Sequence, residues 1–228
     1  LNDFIIPART PNKENGIQDI RDAIRNLFEH PNCAPFISRS LIQFLVTSNP
    51  TPAYVERISS IFADNGKGVR GDLASVVKAI LMDTDARDPA VATSPGFGLF
   101  REPVIRTMYL AKLTKMNRSG NLVWWDYGNF FEDTLQMPMN SPTVFNFYRP
   151  DYSPPGSLGQ AGLDGPAFEI ANSYTLISTP NRFWEIADRG FRINGLFHFA
   201  PSYEDFMPHL EDSDTLLDYL NIVVCAGG

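Results

Sequence analysis

The sequence predicts an all-α fold: stacked short helices with a long ordered loop rich in aromatic residues and proline, and little or no sheet. Three observations predict it. Apolar residues recur at three- and four-residue steps in one segment after another. Proline, glycine and capping side chains bound those segments. Between 117 and 166 the periodicity gives way to closely spaced aromatics and prolines.

In the first periodic segment Ile17, Ile20, Ile24, Leu27 and Phe28 form an apolar stripe opposite Gln18, Asp19, Arg21, Asp22 and Arg25. It ends near His30-Pro31, because a residue preceding proline is pushed out of the α region. A second helix, from about Pro35 through Val46, is expected to bury Phe36, Ile37, Leu41, Phe44 and Leu45, and Asn49-Pro50 closes it. Thr51 followed by Pro52 reads as an N-cap with proline at the first helical position. Tyr54, Val55, Ile58, Ile61 and Phe62 supply the buried face of this third helix, and Gly66 and Gly68 break it. A fourth begins at Asp72 and carries Leu73, Val76, Val77, Ile80 and Leu81 on one side. Four short helices with tight connections suggest a stack of helical hairpins.

From Asp88 to Phe100 the chain is rich in Pro, Gly, Ala, Ser and Thr, which marks a loop and the internal boundary. The reading is one helical region over 1–228, with sub-layers 1–90 and 100–228. Arg101-Glu102-Pro103 opens a further helix that runs to about Lys115, with Glu102 favouring the positive helix start. Residues 117–166 carry Trp124, Trp125, Tyr127, Phe130, Phe131, Phe145, Phe147, Tyr148 and Tyr152 among six prolines, and read as a long loop with one short helix around Phe130 to Gln136. Helices resume over 166–177, 180–189 and 213–224.

Composition limits the functions open to such a chain. Its 228 residues, 43% hydrophobic, suffice for one large domain or two modest ones. A net charge of −7 without any Lys/Arg run excludes the electrostatic footprint of a nucleic-acid binder. No apolar run approaches the roughly 20 residues of a transmembrane helix. Cys33 and Cys225 lie far apart and outside any Cys-x-x-Cys spacing, so neither a disulfide scaffold nor a cysteine zinc site is expected, and their oxidation state stays open. The chain begins Leu1-Asn2-Asp3-Phe4 and stops at Gly227-Gly228 just after an apolar helical pattern, which suggests that both ends are internal to a longer protein.

Several short motifs recur along these elements. They are His30-Pro31-Asn32, the run from Leu45 to Pro50, Gly71-Asp72-Leu73 leading into Ala79-Ile80-Leu81, Arg101-Glu102-Pro103, and the run from Ser141 to Phe147. In this order, over nearly the whole chain, they resemble the bacterial family known as domain of unknown function 1800 (DUF1800). The family has no established activity. The resemblance implies a predominantly helical fold, a periplasmic, cell-surface or secreted location, and a hint of partnership with the product of a sulfatase-like neighbour. It also implies that this chain is a central to C-terminal portion.

The residues that could carry chemistry each have a structural alternative. His30 could ligate a metal or act as a base, or it caps the end of the first helix, with Asn32 as the next N-cap. Asp83, Asp85 and Asp88 fail the calcium-loop pattern, because Arg87, Asp88 and Ser94 stand where an oxygen ligand, Gly and Glu are needed; helix-end and turn roles are expected instead. Glu102, with Arg101 and Arg106 near it, and Glu132, Asp133 or Glu169 could supply paired carboxylates for acid and base work, or they are helix-start charges and exposed ion pairs. Gly156, Gly159, Gly162 and Gly165 read as a glycine-rich turn. Trp124, Trp125, Tyr127, Phe145 and Tyr148 could stack on sugars or anchor a protein, or they roof the core.

The chain carries no Gly-x-Ser-x-Gly, His-Glu-x-x-His or dinucleotide fingerprint. No metal or cofactor is expected, and whether the chain is an enzyme stays open. Two readings follow: a helical protein of the cell envelope or exterior that acts through protein contacts or assembly, or a hydrolase-like enzyme or accessory acting on polysaccharide or on sulfate or phosphate esters. The first expects no clustered carboxylates or histidines in a deep pocket. The second expects Glu102, His30 or Glu169 to converge.

Overall fold

Side-chain caps start several of the helices that the periodicity predicts. In the computed structural model, which describes residues 4–118, 128–193 and 196–225, the Asn12 side chain accepts from Asn15 N and begins α1 (Lys13–Glu29). It is followed by α2 (Cys33–Leu45), α3 (Pro52–Ala63), α4 (Leu73–Met82), and the one-turn helices α5 (Thr84–Arg87) and α6 (Pro89–Ala92). Next come α7 (Pro103–Leu113), β1 (Asn117–Arg118), α8 (Gly128–Thr134) and α9 (Ser157–Gln160). A 3-10 helix at Pro166–Ile170 leads to α10 (Thr175–Arg189), β2 (Phe191–Ile193), β3 (Leu196–Ala200), a second 3-10 helix at Glu204–His209, and α11 (Ser213–Cys225). The fold is all-α, with the strands forming one small antiparallel sheet of order β1-β3-β2.

The chain divides into two compact units, 1–99 with 155–165, and 100–154 with 166–228. In the first unit α2, α3 and α4 enclose a core of Ala34, Ile42, Tyr54, Ile58, Phe62, Val76 and Ile80. Tyr54, fully buried, donates its hydroxyl proton to the Ile80 carbonyl at 2.6 Å. Two expected faces are corrected. On α2 the buried residues are Ala34, Ser38 and Ile42, while Phe36 and Phe44 are exposed. Ile37, Leu41 and Leu45, also expected on this face, are partly buried against the same core. On α1 no residue is buried, and Ile17, Ile20, Ile24, Leu27 and Phe28 all remain exposed to some degree. Periodicity therefore identified this helix correctly but did not identify what its stripe packs on.

The motifs have structural roles. Thr51 accepts from Tyr54 N at 3.1 Å, with Pro52 as the first helical residue. Thr47 Oγ1 accepts from Gly98 N, and Ser48 N donates to Gly98 O. Asn49 exchanges two bonds with the backbone of Asp164, at 2.9 and 2.8 Å. The run from Leu45 to Pro50 thus holds two distant segments of its unit. Gly71 has φ +75, and a Cβ there would strike the Phe28 ring, so glycine is required by conformation and space alike. Asp83 N-caps α5 and Asp88 N-caps α6, while Asp83 and Asp85 both pair with Arg57. These are the helix-end and turn roles that the failed calcium pattern left.

Asp72 caps α4, accepting from Ser75 Oγ at 2.7 Å, Asn65 Nδ2 at 2.8 Å and Ser75 N at 3.3 Å. Led by the Ser75 hydroxyl, these donors hold its carboxyl down at about 2, from 3.8. Because the folded value is the depressed one, the charge stabilises the fold above pH 3.8 and that contribution fades as pH falls towards 2. Thermal melts of wild type and Asp72→Asn should accordingly differ at pH 7 and converge near pH 2. An equal gap at both pH values would count against a role for the charge.

In the second unit α10 packs on α8 and α7. Ser178 and Thr179 hydroxyls both donate to the Asp133 carbonyl, and Arg182 pairs with the Asp133 carboxylate. α10 runs through Pro180 without the break expected there. Within the second turn a proline forfeits one intrahelical bond, and burial of Thr175, Thr179 and Ile186 along one face keeps the helix continuous. The helix expected at 166–177 is a 3-10 turn, with α10 starting only at Thr175. Residues 155–165, which the sequence reading left inside the long loop, form α9 and turns of the first unit.

Candidate functional site

Pro103 starts α7, and Glu102 occupies its N-cap position with extended backbone but makes no side-chain cap bond. The carboxylate turns instead into the second unit, where it is 9% exposed. Its Oε2 accepts from Gln136 Nε2 at 2.5 Å and from the Tyr148 hydroxyl at 2.9 Å. Gln136, 2% exposed, takes over the capping: its Oε1 accepts from Val104 N at 2.9 Å. One amide side chain thus satisfies an orphan donor of the helix start and fixes the carboxylate beside it.

Local backbone strain delivers Gln136 to this position. After α8 the chain turns through Leu135 at φ +55, and Gln136 N donates to Thr134 Oγ1 at 3.3 Å. Met139 at φ +63 and Asn146 at φ +69 are also left-handed. For non-glycine residues such conformations are costly, and they persist where surroundings over-determine them. Thr143 to Asn146 form a tight turn, with Thr143 Oγ1 accepting from Phe145 N and donating to Asn146 O, both at 3.1 Å. The turn presents Val144, 95% exposed, and Phe145, 60% exposed, at its apex.

The loop then descends to two consecutive anchors. Tyr148 donates to Glu102, and burial, followed by the Glu102 charge, pushes its hydroxyl pKa well above the ordinary tyrosine value. It stays protonated and remains a donor. Arg149 donates from its backbone N to Glu169 Oε2 at 2.7 Å and from Nε to Oε1 at 3.2 Å. Two of the predicted carboxylates, Glu102 and Glu169, therefore each hold one end of the dipeptide Tyr148-Arg149. The first contact is half-buried; the second is largely exposed and contributes little.

Other predicted residues fall elsewhere. His30 belongs to the first unit, at the C-cap of α1, where its N–H donates to Leu27 O and its ring Nδ1 accepts from Asn32 N at 3.1 Å. Among the described residues the ring bonds no helix-end carbonyl, and Asn32 precedes α2 without a side-chain cap bond. Asp133 is committed to Arg182, and Glu132 is exposed. Among the described residues Arg106 pairs with no carboxylate; its guanidinium lies between the Phe100 and Phe183 rings. Trp124, Trp125 and Tyr127 lie outside the described residues. Among the described residues no group of three or more His, Cys, Asp or Glu could hold a metal ion. No helix among them is long and apolar enough to cross a membrane. The sequence reading did not single out Gln136 as a site residue, although a buried amide before Met137-Pro138 is a polar residue in search of partners.

Fold and site together define a helical protein of two units whose second unit carries a strained, carboxylate-anchored loop. The chain matches the model of the family described as protein of unknown function (DUF1800) over residues 5–223, and it belongs to that family. No curated protein and no solved structure matches it.

Proposed function

We propose that this chain acts through protein contacts, in an assembly at the cell envelope or exterior of a bacterium, with the 137–150 loop as its contact element. The observation that carries this reading is the loop itself: Val144 and Phe145 are exposed at the apex of a turn whose base is pinned by Tyr148 to buried Glu102. An exposed phenylalanine with an apolar neighbour suits the apolar centre of an interface, where aromatic residues are enriched. Ordering it in advance reduces the entropy lost on association. Glu102 and Glu169 are each engaged by donors that fix the loop, which supports a positioning role over proton transfer.

Sedimentation velocity tests the reading, on the protein alone over a wide concentration range and mixed with the purified product of a sulfatase-like neighbour. A faster-sedimenting species is expected in one arm and should be lost in Val144→Asp/Phe145→Asp, whose helicity should stay native because both side chains are exposed. A monomer throughout, or a complex indifferent to these changes, sinks the proposal. Turnover of glycans or of sulfate or phosphate esters that disappears in Glu102→Gln would replace it by the hydrolase reading.

A further inference from the structure

Arg106 lies in the first turns of α7, and its guanidinium sits 5.0 Å from the centroid of the Phe100 ring and 5.2 Å from that of Phe183. Two ring faces favour a cation there but accept none of its N–H groups in the way an oxygen would. Among the described residues no carboxylate or carbonyl accepts from the Arg106 guanidinium, and its Nε is closed off from water with no partner. A buried donor without an acceptor destabilises the fold unless something supplies one. Burial also lowers the pKa of the guanidinium, the direction expected for a cation short of counter-charge.

Arg106 also lines a cavity of about 110 Å³ in the second unit. Its walls are otherwise apolar, formed by Phe100, Pro103, Ile170, Ala171, Leu176 and Pro180. The two hydroxyls that reach it are already spent, Thr175 on the Ile170 carbonyl at 2.6 Å and Thr179 on the Asp133 carbonyl at 3.1 Å. A ligand therefore meets one positive group and hydrocarbon. An engineered apolar cavity of about 150 Å³ holds benzene, with six heavy atoms, so in proportion this one suits about four to five. Phosphate or sulfate would bring more charge and more acceptors than one guanidinium and apolar walls can satisfy.

We propose that this cavity binds a short-chain monocarboxylate group, its carboxylate on the Arg106 guanidinium and its alkyl end against Ile170, Ala171 and Leu176. The group can come from a free acid or from the C-terminal carboxylate of a peptide. The site is independent of the contact loop, and either assignment can fail without the other.

Isothermal titration of the whole chain with propionate tests it, beside propionamide as the neutral isostere, inorganic phosphate, and N-acetyl-alanine as a chain-end mimic. Propionate should bind saturably, with propionamide and phosphate weaker by about tenfold or more, the scale of one lost charge-assisted pair. Tighter binding of N-acetyl-alanine than of propionate supports the site and assigns the chain-end source, and the reverse order assigns the free acid. Arg106→Met, which keeps much of the packing between the rings, should reduce propionate binding by the same factor. Should that variant not fold, Leu176→Glu, an exposed wall position, should weaken propionate through like-charge repulsion. Equal binding of propionate and propionamide, binding unchanged in the folded variants, or no saturation overturns the proposal.

Discussion

Glu102→Ala is expected to lower the stability of the fold by about 3 kcal/mol, the scale set by two hydrogen bonds to one buried carboxylate. The loss has two parts. Gln136 Nε2 and the Tyr148 hydroxyl both lose their acceptor in a nearly dry environment. The 137–150 loop, whose left-handed Met139 and Asn146 store strain, also loses its main anchor. Amide hydrogen exchange should therefore accelerate across 137–150 more than in the core of the first unit. Tyr148→Phe, which removes one donor and keeps the ring, should cost about half as much. Glu102→Gln should fall between, because it keeps an acceptor oxygen and loses the charge. The order Ala, Gln, wild type in stability distinguishes an anchor from a catalytic acid, for which stability would stay level while turnover vanished. A stability change below about 0.5 kcal/mol in Glu102→Ala, the usual range for exposed positions, would falsify the anchoring role.

Helices were legible because their starts are chemical. Thr51 and Asp72 each accept a backbone N–H within the first turn, and these residue types before an apolar run announce themselves. What the apolar runs touch was much less legible. Periodicity gives a face but not its partner, and Phe36 and Phe44 were assigned to a core that Ala34, Ser38 and Ile42 occupy. The strands were missed for a different reason. Strands of two, three and five residues are too short for an alternating pattern to stand out.

In the site, the proline-bounded Arg101-Glu102-Pro103 and the aromatic loop were both readable as features, but their meeting was not. Tyr148 lies 46 positions beyond Glu102 and Gln136 lies 34 beyond, and no local rule links them. Only the left-handed turn at Leu135, unsignalled by a glycine, brings the amide back to the helix start.

Tyr54→Ala is expected to have the largest effect in the molecule, about 4 kcal/mol, because truncating a buried aromatic loses both transfer free energy and the contacts across the cavity it leaves. Tyr54 is fully buried between α3 and α4, with Ile58, Val76 and Ile80 around it. Tyr54→Phe should cost only about 1 kcal/mol, the net value of a single hydrogen bond, since the Ile80 carbonyl keeps its place while the ring keeps the packing. The ratio of the two, read from urea unfolding, separates packing from polar satisfaction in this core. A pH series adds an independent check. Burial first, then the charges of Asp83 and Asp85, raise the Tyr54 hydroxyl above its ordinary value of 10.0. Below pH 10 it is protonated in both states and its contribution is constant. Above that, the unfolded chain ionises while the buried hydroxyl does not, so stability falls as pH rises. The gap between wild type and Tyr54→Phe should therefore narrow above pH 10. A gap that widens there would mean that the hydroxyl ionises more readily in the folded state, contrary to its burial against the Ile80 carbonyl.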